Sequence, residues 1–306
     1  MGKISALMLT LFILFLLFIF KSAGAKEIVP KKSLDELKIL SWNIYMLPHC
    51  SLFHGNGKRA RDIAEILLHS EYDIIVFQEA FDYRARRILR KQLRETFPYF
   101  YGPANESFFS FKTNSGLWIV SRIPLVHIKE IEYQNRIGID AMARKGAVMF
   151  EGNWNGNAFQ LVSTHLQADS PDDVRHKQCD EIYDRLLKCF YKPNVPQIVC
   201  GDFNIEEDDV TNYQYMLHVL DAENGAIEGN ILSTYDEIDN SLARKPNGKK
   251  RLIDYVLVRN SKIIREIKRK ISVIRKSEKE DLSDHYGMEA VLSFSKVANG
   301  YAIVSK

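Results

Sequence analysis

Six short segments of this 306-residue chain place an oxygen- or imidazole-bearing residue beside β-branched or aromatic neighbours. They are Asn43 in SWNIY, Glu79 in FQEAFD, His165 in STHLQAD, Asp202 and Asn204 in CGDFN, Asp254 in LIDYV, and Asp284-His285 in LSDHYG. A lone charge in such a context is expensive to bury. Any one of these residues, His165 included, reads by itself as a satisfied core hydrogen bond or a cap. Six in the same context make sense together only if the fold converges them. Their chemistry is coherent: Glu, Asp and Asn are hard oxygen ligands suited to magnesium or manganese. Two histidines titrate near neutrality and can serve as base and acid. With no nucleophilic Ser or Cys in the set, the combination suits metal-assisted attack of water on a phosphoester.

The stretch VPQIVCGDFNI shows the placement problem most sharply. Ile198, Val199 and Cys200 read as a buried strand, which then ends in Gly201, Asp202, Phe203 and Asn204. Strand alternation predicts Asp202 and Asn204 on the same side, a ligand pair at the mouth of a site. The plainer alternative is a strand running into a turn, since Gly and Asn are turn formers.

The elements that must position these residues alternate along the chain. LKILSWNIY and EYDIIVFQEA read as strands, separated by a helix with Ile63, Ile66 and Leu67 on one stripe. Residues 82–96 read as a basic amphipathic helix, and SGLWIVSRIPLVHIKEIEY as two strands broken at Pro124. KGAVMFEGNWNGNAFQLVSTHL is a hairpin around Asn155-Gly156. A helix over 172–190 follows, then the VPQIVCGDFNI strand, a helix near 208–220, and the strands RLIDYVLVR and YGMEAVLSFS. Hairpins mixed with helices imply a layered α/β or α+β domain rather than a purely parallel array. Without a linker, one catalytic domain over residues 27–306 is expected.

The composition, 46% hydrophobic and 26% charged, is that of a globular protein and excludes a disordered or low-complexity chain. The first 25 residues differ: Lys3, an apolar run from Ile4 to Phe20, and then Ala23-Gly24-Ala25. This is the pattern of a signal peptide cut after Ala25, so a secreted or periplasmic protein is expected. The alternative is a membrane anchor over residues 4–20. Cleavage would remove two lysines and no acid, so the formal +3 becomes +1, which carries no nucleic-acid signature. Of the four cysteines, Cys179 and Cys189 fall on one expected helix about 15 Å apart, too far to pair. Cys200 reads as a buried strand residue, and no pairing with Cys50 is assigned.

NIYMLP, FQEAFD, THLQAD followed by DVRHKQ, GDFNI, IDYVL and SDHYG occur in the order seen in secreted neutral sphingomyelinases. Over Leu37 to Phe294 the chain resembles that branch of the endonuclease/exonuclease/phosphatase superfamily. GDFN, the IDY strand and SDH are superfamily features. NIYMLP, THLQAD with Val174-Arg175 and Gln178, and Arg144-Lys145-Gly146 resemble the sphingomyelinase branch more specifically.

The resemblance implies a four-layered αββα sandwich and a phosphodiesterase that cuts sphingomyelin into ceramide and phosphocholine at a membrane surface, with a monomer expected and no nucleic-acid partner. It implies Mg2+, with Mn2+ and Co2+ as alternatives. Glu79 resembles the main metal ligand, supported by Asn43 and joined by Asp284. Asp202 and Asn204 would hold the attacking water, the phosphate or a second metal, and His285 is placed with the metal group as well. Asp254 would orient His285, which resembles the general base, and His165 resembles the donor to the phosphate or leaving oxygen. Other readings on the same fold are a nuclease, another phosphatase or an inactive lipid-binding protein.

Two features depart from the branch. Tyr83 stands where related enzymes often carry Asn, which puts an additional edge metal there in doubt. The segment from Asn260 to Asp284 has no aromatic-tipped hairpin. It carries Lys262, Arg265, Lys268, Arg269, Lys270, Arg275 and Lys276, opposed locally by Glu266. That charge reads first as a solvated face and second as an attraction for anionic lipid. Phe108, Phe109 and Phe111 are a candidate membrane-touching loop.

Overall fold

Leu37 and Ile39 fall on one side of the first strand, β1 (Glu36–Met46), and Leu40 and Trp42 on the other; all four are fully buried. A strand that hides both faces needs a layer above and a layer below. The computed structural model supplies both. It describes residues 35–48, 55–106, 112–138, 142–168, 170–243, 247–260 and 262–295, all within one compact unit. The expected leader or anchor, Cys50, Phe108, Phe109 and Phe111 lie outside the described residues.

After β1 come α1 (Asn56–Leu68), β2 (Ile74–Ala80), α2 (Tyr83–Leu93), β3 (Tyr99–Tyr101), β4 (Trp118–Ser121) and β5 (Leu125–Glu132). The hairpin β6 (Gly146–Trp154) and β7 (Asn157–His165) follows, then α3 (Asp172–Ile182) with a π turn at Tyr183–Leu187, β8 (Gln197–Asp202) and α4 (Val210–Leu220). Short strands β9 (Ala222–Asn224), β10 (Ala226–Glu228), β11 (Tyr235–Asp236) and β12 (Lys250–Arg251) lead to β13 (Asp254–Arg259) and β14 (Ile264–Ser272). A small hairpin, β15 (Arg275–Ser277) and β16 (Glu280–Asp281), precedes β17 (Gly287–Phe294).

Two large sheets result, ordered β10-β14-β17-β1-β2-β4-β3 and β5-β6-β7-β8-β13-β9. Leu37, Ile39, Ile74 and Val76 of the first sheet join the core shared with the second. On its other face Leu40, Trp42, Ile75 and Phe77 pack with Ile63 and Leu67 of α1 and Leu89 and Leu93 of α2. Cys179 and Ile182 of α3 and Met216 and Leu220 of α4 belong to the core of the second sheet. The fold is therefore mixed α/β, with helices, two sheets and helices in four layers, as expected.

Local chemistry explains the elements. Asp82 caps α2 by accepting from the amides of Arg84 and Ala85 at 2.8 and 3.3 Å. The β6–β7 hairpin turns at Asn155 and Gly156, whose φ of 51° and 91° are those a tight hairpin turn demands. Pro124 does more than break a strand: β4 ends up in the first sheet and β5 in the second, so the chain changes layer there. Cys179, Cys189 and Cys200 are all free. The RLIDYVLVR segment is two elements, with β12 paired to β11 and β13 starting only at Asp254.

Five of the seven basic residues of this stretch meet acids, four of them acids remote in sequence. Arg265 meets Asp35, Lys268 meets Glu228, Arg269 meets Glu207, Arg275 meets Asp281, and Lys276 meets Asp62 and Glu65. The solvated-face reading stands over the lipid-attracting one.

Gly201 sits between β7 and β13, where a Cβ would lie 1.9 Å from the Thr164 carbonyl oxygen. Gly201→Ala is expected to cost about 1–3 kcal/mol, read as a lower urea midpoint. Gly57→Ala in α1 is the control: its Cβ would meet Ile88 Cδ1 at 3.7 Å and Arg61 Nη1 at 3.9 Å, both ordinary contacts, and a gain of up to about 0.5–1 kcal/mol is expected.

Candidate active site

β7 and β8 run parallel and β13 runs antiparallel to β8, and the register sets His165, Asp202 and Asp254 side by side on one rung. In the first sheet β1 and β2 are parallel, with Asn43 and Glu79 near their C-terminal ends. His285 stands just before β17, which is antiparallel to β1. Not every site residue ends a strand: Asp254 begins β13, and Asp284 and His285 precede β17. Antiparallel partners bring their starts to the end where their neighbours finish.

At the site two hydrogen bonds join the sheets. His285 Nδ1 lies 2.8 Å from Asp254 Oδ2, and Asn43 Nδ2 donates to Asp202 Oδ2 at 3.1 Å. That Asp202 oxygen also lies 3.5 Å from His165 Nε2 and 3.7 Å from His285 Nε2. Asn204 reaches the site by a different route from strand alternation. β8 ends at Asp202, and Asn204 has φ 51° with its amide N–H donating to Asp202 Oδ1 at 3.0 Å. Its Nδ2 donates to the Leu166 carbonyl at 3.3 Å. A turn, not the pleat, keeps Asn204 beside Asp202.

The loops carrying these groups are tied down by buried bonds. Trp42 Nε1 donates to the His285 carbonyl at 2.9 Å, and Ser283 Oγ donates to the Asn43 carbonyl at 2.6 Å. Arg59 of α1 donates to the carbonyls of Ile44, Tyr45 and Leu282, joining the end of β1 to the segment before Asp284. Thr234 Oγ1 accepts from the amides of Ile253 and Asp254 at 3.1 and 3.2 Å. Glu79 is held at φ 53°, a conformation that costs a non-glycine residue about 1–3 kcal/mol.

Lys145 received no role from its place in Arg144-Lys145-Gly146, yet it lies inside the site. It is 4% exposed, and its Nζ is 3.1 Å from His165 Nε2 and 3.0 Å from the Leu166 carbonyl. Its buried position just before β6 is visible only once β6 pairs with β7. Gln167 and Gln178, also in the branch-specific motifs, act as braces. Gln178 accepts from Gln167 N–H and donates to the Asn135 carbonyl, and Gln167 bonds both the N–H and the carbonyl of Ile137.

Charge at the site is strongly biased by burial. Burial raises Glu79, with Asp202 adding to the rise and Lys145 and His285 opposing it. Asp202 is pushed up to about 6 by burial and then by Asp254. Asp284 is pushed up to about 7 by burial, with Glu79 contributing. The histidines move in opposite directions. Burial lowers His165 well below its usual range, and the charges of Lys145 and His285 add to this. Burial works against protonated His285, but Asp254 and Asp202 outweigh it and hold it well above.

The donor set fits a hard divalent cation. Glu79 Oε2 is buried without a hydrogen-bond partner, as is Asp254 Oδ1. Asp202, Asp254 and His285 offer atoms within 4.8 Å of one another. Asp254 and His285 Nδ1 are already joined by a charge-assisted hydrogen bond, so Glu79, with Asn43 and Asp284 near it, is the better oxygen set for a cation.

The fold is a layered α/β scaffold with a buried acid–histidine site where strands of two sheets meet. The chain belongs to the Endonuclease/Exonuclease/phosphatase family, whose model matches residues 40–285. Sphingomyelinase C 2 of Leptospira interrogans is 28% identical over 274 residues, covering 79% of this chain and 43% of the relative. The chain thus spans about two fifths of that relative's length. Sphingomyelinase C of Listeria ivanovii is 25% identical over 277 residues, covering 82% and 81% of the two chains. Among solved structures, a Staphylococcus aureus beta toxin mutant with bound magnesium ions superposes with a TM-score of 0.74. It is 25% identical, and the match covers 85% of this chain and 100% of that one.

Two outcomes follow from the electrostatics. In the metal-free protein Asp202 and Asp284 hold protons more tightly folded than unfolded. Their contribution to stability is present below their unfolded value of about 4 and is lost as pH rises through about 6 to 7. Magnesium should therefore raise the thermal midpoint more at pH 7.5 than at pH 5.5, and an equal rise at both would contradict the assignment. Lys145→Met should move His165 upward in an NMR titration, because it removes the neighbouring positive charge.

Proposed function

We propose that the chain is a metal-dependent phosphodiesterase that hydrolyses sphingomyelin to ceramide and phosphocholine. The observation that carries the reaction is the His285–Asp254 pair, set against Asp202 and beside the unpartnered oxygen of Glu79. The substrate is supported by the relatives named sphingomyelinase C and by the branch-specific motifs.

In this reading His285 Nδ1 donates to Asp254, which fixes the ring's tautomer and direction and leaves Nε2 to take a proton. Water attacks phosphorus in line as His285 Nε2 accepts its proton. The new bond is from the water oxygen to phosphorus, and the bond that breaks is from phosphorus to the ceramide oxygen. The Lys145 ammonium donates to His165 Nε2, so neutral His165 carries its proton on Nδ1, a buried atom without a protein partner, and this reading gives that N–H to a phosphoryl or departing oxygen. The departing oxygen takes the Nδ1 proton of His165 as Lys145 passes one of its own to Nε2, so that the imidazole stays neutral and the ammonium becomes an amine. Mg2+ held by Glu79, with Asn43 and Asp284 beside it, would offset charge on the phosphoryl and departing oxygens, and its positive charge would oppose the protonation of His285. Secretion through the N-terminal segment accords with a substrate in an outer membrane leaflet.

The test is to incubate the purified protein with magnesium against sphingomyelin, phosphatidylcholine, lysophospholipid and plasmid DNA. Phosphocholine release from sphingomyelin, abolished by EDTA, is expected. No release with magnesium, manganese or cobalt would sink the proposal, and faster cutting of DNA would move the chain to the nuclease reading. His285→Ala and Asp254→Asn should each lower kcat by about 10²–10⁴, the range for a removed or misdirected general base.

A further inference from the structure

The basic amphipathic helix of the sequence is α2, on the outer face of the first sheet. Ala85, Leu89 and Leu93 bury its inner side. On the opposite side Arg84, Arg87, Lys91 and Arg94 follow one another at spacings of three, four and three, and all four are exposed. That spacing sets them in one row along the helix axis, about 15 Å long. None of the four makes an ion pair among the described residues.

Two more cations widen the row. Arg90 holds its guanidinium 5.0 Å from the Phe100 ring centroid and stays exposed. Arg61 reaches the seam from α1, since a Cβ on Gly57 would lie 3.7 Å from Ile88 Cδ1 and 3.9 Å from Arg61 Nη1. The acids of these helices are committed elsewhere. Asp82 accepts from the cap amides and from Asn56, while Asp62 and Glu65 of α1 meet Lys276. Glu95, beside Arg94, is the one exposed acid of the 83–95 stretch.

This arrangement costs the helix stability. Like charges three and four positions apart repel. Arg84 also sits in a first turn that carries no acid, against the helix dipole. The other basic stretch, between Asn260 and Asp284, relieves such repulsion by ion pairs, and α2 does not. The row is nevertheless firmly mounted, with Asp82 capping the helix and Arg86 donating to the carbonyls of Ala80 and Phe81. A repulsion left uncompensated within the protein, on a rigid exposed face, is suited to an external polyanion.

We propose that the α2 row, widened by Arg90 and Arg61, is a docking surface for a linear sulfated polysaccharide. Basic clusters of this length suit heparin-like chains or nucleic acid. No aromatic residue lies between Arg84 and Arg94, so the row has no platform on which bases could stack. Arginine predominates, and its planar fork matches the paired oxygens of a tetrahedral anion. Cations in a line fit a linear chain better than a plane of headgroups. The export pattern of the first 25 residues would bring the protein to such chains. The inference does not depend on the substrate proposed above.

The experiment follows the anisotropy of a fluorescent heparin fragment over a range of NaCl concentrations. Changing Arg84, Arg87, Lys91 and Arg94 together to Gln should weaken binding at least about 30-fold at about 0.1 M salt. The slope of log affinity on log salt should fall by roughly one for each cation removed. Changing the exposed Lys177, Lys188, Lys262 and Lys270 to Gln removes the same formal charge, and affinity should stay within about threefold. The row variant should melt no lower than wild type, because like-charge pairs are lost and Gln is a good helix former. In the wild-type protein, heparin should shield Arg84, Arg87 and Arg94 from phenylglyoxal and leave Arg265 reactive, read by peptide mass spectrometry.

Unchanged heparin affinity in the row variant, an equal loss in the lysine variant, or unshielded row arginines would each overturn the surface. Unsulfated hyaluronan, duplex DNA or phosphatidylserine vesicles bound as tightly as heparin at the same salt would overturn the occupant.

Discussion

The site exists only because two sheets meet. Its two central hydrogen bonds, His285 to Asp254 and Asn43 to Asp202, each take one partner from either sheet. Neither sheet alone contains a competent arrangement, so the apolar core between them sets the distance across which the polar groups meet. Much of the surrounding hydrogen bonding serves that constraint. Arg59 ties the end of β1 to the segment before Asp284, Thr234 holds the start of β13, and Trp42 holds the backbone at His285.

The same closeness makes the site electrically tense, and that tension gives two identical side chains different states. His285 stands between Asp254 and Asp202 and holds a proton well above its usual range. His165 stands beside Lys145 and gives one up well below it. Carboxylates raised by burial complete a pocket that favours protons when empty of metal and would favour a divalent cation in their place. Burial supplies this energetic bias, and the neighbours give it direction.

Outside the site, charge is mostly settled locally in space, though not in sequence. A segment that reads as a basic stripe carries ion pairs to other elements: Lys268 and Arg269 of β14 meet Glu228 and Glu207, and Lys276 meets Asp62 and Glu65 of α1, while Arg275 meets Asp281 within the β15–β16 hairpin.

The sequence by itself determined the residues and the elements. Period and turn chemistry located β1, β2, the β6–β7 hairpin, α2 and α4, and the unusual polar residues stood out because each sits beside β-branched or aromatic neighbours. Those are local properties, written in neighbours a few positions apart. Only the tertiary structure decided that Pro124 marks a change of sheet, that Asp254 and His285 precede their strands, and that Asn204 reaches Asp202 through a left-handed turn. It also brought Lys145 onto His165, although the two are 20 positions apart. Strand pairing and layer packing join residues that are remote along the chain, and a protonation state depends on what those contacts bring within a few ångströms.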